Sequence, residues 1–313
     1  MRVLLGALLL DWAFAEPPSR CHPVAGIGRL IAAGRAAARW RSPAALVVQG
    51  ALLVVAVGGV AVALALLAER ALVALPPVLA LAGEAWLLKC TFSLRRLFGA
   101  VELVRAHLVA GDLEGARREL GLHLVSRRTD ELDAGAVASG AVESLAENFT
   151  DSWLAPACWF VVGHVGGLGA GLAAAWAYRV VNTADAMIGY RDGDLEYLGR
   201  VTARLDDVLN FVPARLGAVT IVAAAALAGR SATDAWRALR RDARRTASPN
   251  AGRTMAAMAG AIGARLEKRG HYELGSGPPA DVGAIDAALG VMRWAVALSV
   301  TAALLALWLV GDP

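Results

Sequence analysis

Long apolar runs separated by polar stretches form the main pattern of this 313-residue chain. A membrane-spanning α-helix needs about 20 mostly apolar residues, and the run from Leu46 to Ala68 meets this requirement without a single charge. Further candidates for spans are Ala71 to Leu88, Trp153 to Val181, Phe211 to Gly229 and Val291 to Val310. The pattern predicts an all-α, polytopic integral membrane protein with about four to six spanning helices.

Several details of these runs bear on the topology. The pair Glu69–Arg70 is predicted to be the tip of a tight hairpin between the first two runs. Pro156 and Gly166–Gly167 interrupt the third run, which is either one tilted helix or two short ones. Residues 3–10 are apolar, but the run is short and Asp11 ends it, so we expect a short first helix and not a signal peptide.

Two polar regions, residues 89–151 and 230–286, lie between the apolar runs. Apolar residues recur in them at helical spacing, as in FSLRRLFGAVELVRAHLV, which predicts amphipathic helices. There is no strand-like alternation of any length, which favours the all-α class. We expect a single membrane-embedded domain over residues 1–313, with the two polar regions between its spans.

The composition agrees with a membrane protein. Apolar types make up 57 % of the chain and charged types 19 %, against roughly 45–50 % and about 25 % in an average soluble domain. The three cysteines form no CxxC pair, which argues against a zinc or iron–sulfur site and suits a reducing compartment. The net charge of +4 is small and the arginines lie beside the predicted spans, so we expect no nucleic-acid partner.

The distribution of basic residues predicts the orientation in the membrane. Residues 20–41, 89–150 and 230–270 carry five, eight and ten Lys or Arg, whereas residues 182–210 carry three against six acids. The positive-inside bias places the three basic regions on the cytoplasmic side. The side of residues 182–210 depends on whether Trp153 to Val181 crosses once or forms a hairpin, and the sequence leaves both open.

The densest polar cluster runs from Glu143 to Asp151. Glu143, Glu147 and Asp151 are four residues apart and are predicted to share one helical face, where like charges repel mildly. A magnesium ion, which takes carboxylate oxygens, or a basic partner would relieve this repulsion. A solvated helix face that ends in a cap is the alternative.

Two further clusters adjoin apolar runs, where an unpaired charge is costly and usually functional. Residues 182–190 contribute Asn182, Asp185 and Tyr190. Residues 203–215 contribute Arg204, Asp206, Asp207, Asn210 and Arg215. An arginine beside two adjacent acids is a candidate for holding a metal and a phosphate together, and an internal ion pair is the alternative.

Two more motifs lie at predicted helix starts. Asn250 or Ser248 is predicted to cap the helix that follows, whose first backbone N–H groups would be free to bind an anion; a plain turn is the alternative. His22 precedes an arginine-rich amphipathic helix, and a lone histidine is more often structural than catalytic. The GxG at Gly26–Gly28 follows no strand, which excludes a dinucleotide fold, and no P-loop, HExxH or GxSxG motif occurs.

Taken together, these motifs resemble the cobalamin-biosynthesis family CobD/CbiB, the adenosylcobinamide-phosphate synthases. The matching stretches are HPVAGIGRLI, ESLAENFTDSWLAP, AYRVVNTADAMIGY, ARLDDVLNFVPARL and SPNAGRTMAAMAGAIGARL. They occur in the family's order from Leu10 to about Tyr272. One difference is visible: the family usually has Gly-Asp-Pro where this chain has Ala15-Glu16-Pro17.

The resemblance implies a multi-pass enzyme of the cytoplasmic membrane, with membrane lipid and a corrinoid substrate as its partners. Such an enzyme joins a carboxylate of adenosylcobyric acid to the amine of (R)-1-amino-2-propanol, or of its O-phosphate, to form an amide. Because forming an amide from a carboxylate is uphill in water, the resemblance also implies ATP and Mg²⁺. Which of the two amines is used and the oligomeric state stay open.

Under this interpretation the motif residues divide by role. The candidates for catalysis are His22, Glu143, Glu147, Asp185, Tyr190, Asp206 and Asp207, with His22 and Tyr190 as the proton-transfer groups. The candidates for metal binding are Glu147, Asp151, Asp206 and Asp207. The candidates for substrate binding are Asn148, Asn182, Arg204, Asn210, Arg215, Ser248 and Asn250.

The residues alone leave two other classes open. Asp206-Asp207-x-x-Asn210 and Asn182-x-x-Asp185 look somewhat like the magnesium–diphosphate motifs of membrane prenyltransferases. A transporter with acids lining a path is the second alternative, although it would be expected to place more acids within the spans.

Overall fold

The computed structural model describes residues 1–14, 16–18, 20–38, 42–165, 170–190 and 193–311, and these residues are mostly helical. The first seven helices are α1 (Arg2–Ala13), α2 (Pro23–Ala36), α3 (Pro43–Val73), α4 (Pro77–Lys89), α5 (Leu94–Val109), α6 (Leu113–His123) and α7 (Ala134–Phe149). A π-helical turn, Thr150–Leu154, follows α7. The remaining helices are α8 (Ala155–Val165), α9 (Gly171–Ile188), α10 (Leu195–Leu198), α11 (Arg200–Leu209), α12 (Phe211–Leu227), α13 (Ala232–Asp242), α14 (Ala251–Ile262) and α15 (Val282–Leu309). The predicted all-α class is confirmed.

Side-chain caps mark where several helices begin. Ser42, Asp112, Asp133 and Ser231 each accept a hydrogen bond from a backbone N–H in the first turn of α3, α6, α7 and α13, respectively. These residue types are preferred at this position because they satisfy amides that have no partner within the helix. At the other end of a helix, Gly263 follows α14 with a φ of 67°, which glycine adopts without strain.

Two helices, α3 and α15, are long and apolar enough to cross a membrane. Two consecutive pairs, α4 with α5 and α11 with α12, meet the same criteria if each pair is one broken span, which brings the number to four. Only 22 % of the most apolar window of α3 and 33 % of that of α15 is buried inside the protein. The rest of this apolar surface requires a lipid environment. The membrane class is confirmed, and the two to four candidate spans reach the lower end of the expected range.

The predicted hairpin tip at Glu69–Arg70 is wrong. Both residues lie inside α3, and the chain turns after that helix, where Pro77 starts α4. Proline suits the first position of a helix because its missing N–H would have no partner there. An oppositely charged pair near the end of a spanning helix can remain helical, so the pair Glu69–Arg70 did not indicate a turn. With 13 residues, α4 is too short to be the predicted second span by itself.

The run from Trp153 to Val181 forms two helices, which is one of the two predicted alternatives. It contains the end of the π-helical turn, then α8, and most of α9. Gly166–Gly167, the predicted interruption, lies outside the described residues. Glycine is required next to this connection, because a Cβ on Gly163 would lie 2.5 Å from the carbonyl oxygen of Ala170. The side of the membrane on which residues 182–210 lie stays a prediction.

The chain divides into two compact units, each assembled from separate stretches of sequence. Unit 1 comprises Met1–Ser93, Ala155–Leu209 and Ala303–Pro313, and in it α9 packs against α2, α3, α8 and α11. Unit 2 comprises Leu94–Leu154 and Asn210–Ala302, and in it the almost fully buried α14 packs against α7, α12 and α13. The prediction of a single domain over residues 1–313 is not tested by this division.

A short β-hairpin was not expected from the sequence. Strands β1 (Leu266–Lys268) and β2 (Tyr272–Leu274) pair antiparallel, with Lys268 opposite Tyr272. Gly270 occupies the turn with a φ of 74°, a conformation that favours glycine. The hairpin packs on α7 in unit 2.

Candidate functional site

In unit 1, α9 and α11 bring together Asn182, Asp185, Asp206 and Asp207, hereafter the Asp185 cluster. The Nδ2 amide of Asn182 donates to Oδ1 of Asp206 at 3.4 Å. Burial, followed by the negative charges of Asp206 and Asp207, raises the pKa of Asp185 to about 7. The four residues predicted from two separate motifs therefore lie in one electrostatic neighbourhood, where added positive charge would be stabilising.

The backbone around Asp185 leaves little room for its carboxylate. A Cβ on Gly189 would lie 2.0 Å from Oδ1 of Asp185. A Cβ on Gly199 would lie 1.8 Å from the carbonyl oxygen of Ile188, the last residue of α9. Only glycine at positions 189 and 199 leaves room for the Asp185 carboxylate and for the carbonyl group of Ile188 at the end of α9.

The other two predicted residues of this region lie at its surface. Arg204 is 77 % exposed, and its Nη1 lies 3.8 Å from Oδ2 of Asp207. Such an exposed pair contributes about 0–1 kcal/mol to stability. Tyr190 is 44 % exposed. The roles predicted for Arg204 and Tyr190 in substrate binding and proton transfer stay predictions.

In unit 2, Glu143 is buried on α7 and both of its carboxylate oxygens accept hydrogen bonds. Ser139 Oγ donates to Oε1 at 2.7 Å, and the Tyr272 hydroxyl donates to Oε2 at 2.7 Å. Ser139 Oγ also accepts from the backbone N–H of Glu267 at 2.7 Å. Burial, then the charge of Glu143 and its hydrogen bond, raises the pKa of Tyr272, so the phenol stays protonated and remains a donor.

Glu143 and Glu147 line a cavity of about 210 Å³, hereafter the Glu143 cavity. Its other lining residues are Leu124, Val125, Ser126, Arg127, Gly140, Ser144, Lys268 and Tyr272. Asp151 does not line the cavity and lies in the π-helical turn that follows α7. The predicted common face of Glu143, Glu147 and Asp151 stays a prediction.

Asn148 uses its amide within its own helix. Its Nδ2 donates to the carbonyl oxygen of Ser144 at 3.0 Å and to the hydroxyl of Ser144 at 2.9 Å. These contacts orient the side chain beside the Glu143 cavity, whose lining includes Ser144. Its predicted role in substrate binding stays a prediction.

The start of α14 differs from the expectation of free backbone amides. Ser248 Oγ accepts from the N–H groups of Asn250 at 3.2 Å and Ala251 at 3.4 Å. Thr246 Oγ1 accepts from the N–H of Gly252 at 3.1 Å. Ser248 is thus confirmed as a capping residue, while Asn250 makes no side-chain cap. The predicted anion site on free N–H groups is wrong because hydroxyl groups already bind these amides.

Arg215 and Asn250 lie together in unit 2. The guanidinium group of Arg215 stacks on the ring of Phe211, and its Nη1 lies 3.4 Å from Oδ1 of Asn250. Asn210, directly before α12, is buried. An arginine fixed by stacking and a carbonyl contact is preorganised to bind a carboxylate or a phosphate.

His22 is a helix cap in unit 1. Its Nδ1 accepts from the backbone N–H of Val24 at 3.2 Å, which leaves Nε2 to donate to Glu16 at 3.0 Å. Both ring nitrogens are thus hydrogen-bonded and His22 caps α2. Its predicted role in proton transfer stays a prediction.

Glu16 links His22 to a buried lysine. Lys89, whose side chain is 3 % exposed, binds Glu16 and lies 3.6 Å from Asp11. Burial opposes the ionisation of Glu16, but hydrogen bonds from His22 and Lys89 outweigh it and lower its pKa to about 2. The acid of the Ala15-Glu16-Pro17 segment therefore has a structural role, and Ala15 lies outside the described residues.

Sequence reasoning missed several residues of these groups. In the Glu143 cavity these are Arg127, Lys268 and Tyr272. Ser139, which donates to Glu143, was also missed, as were Asp11 and Lys89 around His22. The alternation on either side of Gly270 covers only three residues in each strand, which is too short to predict the hairpin. No signal in the sequence pairs Lys89 with residues that precede it by more than 70 positions.

In the part of the chain that the structure describes, no three His, Cys, Asp or Glu side chains converge as a metal site. The binding of a metal by Glu147, Asp151, Asp206 and Asp207 therefore stays a prediction.

Comparison with known proteins decides the family. The profile of the family described as CobD/Cbib protein matches residues 4–309. The chain belongs to the CobD/CbiB family. It is 41 % identical over 275 residues to the probable cobalamin biosynthesis protein CobD of Methanothermobacter thermautotrophicus, covering 87 % of this chain and 86 % of that protein.

Two other CobD proteins show similar agreement. The cobalamin biosynthesis protein CobD of Chromobacterium violaceum is 40 % identical over 316 residues, which cover 96 % of this chain and 95 % of the relative. The cobalamin biosynthesis protein CobD of Dehalococcoides mccartyi is 38 % identical over 273 residues, which cover 87 % of this chain and 86 % of the relative. No solved structure matches the chain at a significant level. The family predicted from the motifs is thus confirmed.

Proposed function

We propose that this CobD-family protein acts in cobalamin biosynthesis and joins a carboxylate of adenosylcobyric acid to the amine of (R)-1-amino-2-propanol or its O-phosphate. The product is an amide, adenosylcobinamide or its phosphate. The observation that carries the proposal is the family match over residues 4–309, since its relatives are named as cobalamin biosynthesis proteins. The protein is proposed to act as a multi-pass protein of the cytoplasmic membrane, in agreement with α3 and α15.

The reaction needs an activated carboxylate, and ATP with Mg²⁺ would supply the activation. Magnesium bound to a nucleotide needs only one or two protein carboxylates, because phosphates and waters complete its shell. Asp206 and Asp207 on α11 and Asp185 on α9 offer such oxygens, and the charges of Asp206 and Asp207 add to the effect of burial in raising the pKa of Asp185. The Asp185 cluster fits a metal–nucleotide complex on this ground. When bound, the metal would neutralise phosphate charge and orient the leaving group.

The chain's own residues supply the remaining functions. Asn182 and Asp206 fix each other's orientation through their hydrogen bond. Arg215 is held by Phe211 and Asn250 and is proposed to bind an anionic group of a substrate. The amide side chains of a corrin need hydrogen-bond partners, and Asn148 and Asn182, which are partly exposed, are proposed to supply them. Removal of the proton from the ammonium group requires a base, and Glu147, which is exposed at the Glu143 cavity, is proposed to serve as one.

The decisive experiment is an incubation of the purified protein, in detergent micelles, with adenosylcobyric acid, the amino alcohol phosphate and MgATP. Mass spectrometry should detect the amide, and no product should form without ATP. Activation by phosphorylation would release ADP and phosphate, whereas adenylation would release AMP and diphosphate. Absence of the amide, together with consumption of a prenyl diphosphate or uptake of solute by vesicles, would overturn the proposal.

A further inference from the structure

We propose that the Glu143 cavity is the subsite for the amino alcohol phosphate and binds it as a zwitterion, with the phosphate at Arg127 and Lys268 and the ammonium at Glu143 and Glu147. The identity of the ligand rests on the proposed function. The site itself rests on the size of the cavity and on the charges that line it.

The cavity is the right size for a small polar molecule. Its volume of about 210 Å³ lies below the range of about 300–1,000 Å³ that is usual for drug-sized ligands. A nucleotide or a corrinoid does not fit in it. Eight of its ten lining residues come from α7 and the loop that follows α6, and the other two, Lys268 and Tyr272, come from the β-hairpin.

The positive charges come from two different elements. Arg127 lies in the loop between α6 and α7, and Lys268 lies on β1. Lys268 is directly opposite Tyr272 in the hairpin, so their side chains share one face of it. Arginine presents a planar fork that matches phosphate oxygens, and lysine adds a mobile point charge. Together they suit the phosphate end of the ligand.

The negative charges come from one helix. Glu143 and Glu147 are one turn apart on α7. The hydroxyl groups of Ser139 and Tyr272 hold the Glu143 carboxylate in a fixed orientation at 2.7 Å each. Glu147 is exposed to solvent. A fixed buried carboxylate and an exposed one suit an ammonium group that must first be bound and then lose a proton.

This arrangement gives the reaction a balanced proton path. The ammonium proton passes to the Glu147 carboxylate and from there to water. The nitrogen lone pair then attacks the activated carbonyl carbon and the carbon–nitrogen bond forms. The activating phosphate leaves with the electrons of its bond to carbon, and the nitrogen passes its second proton to the departing phosphate, which yields the neutral amide. Carboxylates are suited to such proton transfer when they lie within hydrogen-bond reach of the amine.

The test measures binding of (R)-1-amino-2-propanol O-phosphate to the full-length protein in detergent micelles by calorimetry. Arg127→Gln and Lys268→Gln should each weaken binding at least about tenfold, because a charge-assisted hydrogen bond contributes about 1.5–3 kcal/mol. Neither change should weaken binding of the unphosphorylated amino alcohol. Arg128→Gln is the matched control, since the neighbouring Arg128 is 88 % exposed in a pair with Asp130 and does not line the cavity.

The outcomes separate this inference from the proposed function. Unchanged affinity in both variants, or no binding to the wild-type protein at millimolar ligand, would overturn the subsite. Binding that depends on Arg127 and Lys268, without amide formation when adenosylcobyric acid and MgATP are added, would overturn the proposed function and leave the subsite standing. Amide formation with an unchanged KM for the amino alcohol phosphate in both variants would support the proposed function and overturn the subsite.

Discussion

Tyr272 on β2 donates a 2.7 Å hydrogen bond to Oε2 of Glu143 on α7, across 129 positions of sequence. With the hydroxyl of Ser139 on Oε1, this bond satisfies a carboxylate that is 5 % exposed. The β-hairpin thereby connects to the helix that carries Glu143 and Glu147. The bond also fixes one wall of the Glu143 cavity.

Tyr272→Phe should destabilise the protein, because it leaves one oxygen of a buried carboxylate without its donor. We expect a loss of about 1–3 kcal/mol in the free energy of unfolding, measured by thermal unfolding in detergent with tryptophan fluorescence. Tyr190→Phe is the control, since Tyr190 is 44 % exposed. Equal melting temperatures for Tyr272→Phe and the wild type would show that the hydrogen bond contributes nothing.

The hydrogen bond between Glu143 and Tyr272 also shows which features of the structure could be predicted from the sequence and which could not. Periodicity and apolar length predicted α3 and α7 because these signals are local. The sequence did not predict that the acids of residues 182–190 lie close to those of residues 203–215, since this proximity depends on the packing of α11 on α9. A hairpin of three-residue strands gives too short an alternation to predict, and its docking on α7 depends on contacts far apart in sequence.

The remaining differences have local physical reasons. A π-helical turn begins at Thr150 directly after α7, and a carboxylate spacing of four does not reveal it. The hydroxyl groups of Thr246 and Ser248 bind amides that the sequence left free for an anion. Polar side chains near the start of a helix often hydrogen-bond the first backbone N–H groups of that helix, because an unsatisfied amide is costly.

Gly189→Ala should reduce amide formation strongly while the protein still folds. The added Cβ would lie 2.0 Å from Oδ1 of Asp185, so the carboxylate must leave its place in the Asp185 cluster. Gly58→Ala is the matched control, because a Cβ there meets nothing within 4 Å and alanine favours a helix. Initial rates with MgATP in excess check the prediction, and equal rates in the two variants would contradict it.

Glu16→Gln should lower stability near neutral pH, by about 2 kcal/mol. The pKa of Glu16 is lowered to about 2 from an ordinary value of 4.5. The stabilisation from its charge is therefore fully present above pH 4.5 and is lost as the pH falls through 2. The difference in melting temperature between the variant and the wild type should accordingly shrink from pH 7 towards pH 3.

A surface pair provides the control for that measurement. Glu114 is 78 % exposed and pairs with Arg117 within α6. Glu114→Gln should change the free energy of unfolding by less than about 1 kcal/mol at every pH. A constant difference for Glu16→Gln across the acid range would contradict the role of its charge.

Asp206→Asn and Asp207→Asn should each abolish amide formation without unfolding the protein. Removing either negative charge relieves its repulsion with Asp185, so the melting temperature should not fall. Asp130→Asn is the control, because Asp130 is 71 % exposed in a surface pair with Arg128. Near-normal turnover in both cluster variants would show that the adjacent acids are structural.

Glu147→Gln distinguishes three roles for one exposed carboxylate. If Glu147 only faces solvent, the change should alter stability by about 0.5 kcal/mol or less and leave the kinetics unaffected. If it binds magnesium, activity should fall and recover partly at high magnesium, because a weakened site refills by mass action. If it binds the ammonium group, as we propose, added magnesium should not restore activity.

The proposed role predicts a specific kinetic pattern. The KM for the amino alcohol phosphate should rise because an ion pair to the ammonium is lost, and kcat should fall because the proton acceptor is gone. The KM for MgATP should stay unchanged. Initial rates over a matrix of magnesium and amino alcohol phosphate concentrations separate the cases, and recovery with magnesium alone would move Glu147 from the ammonium to the metal.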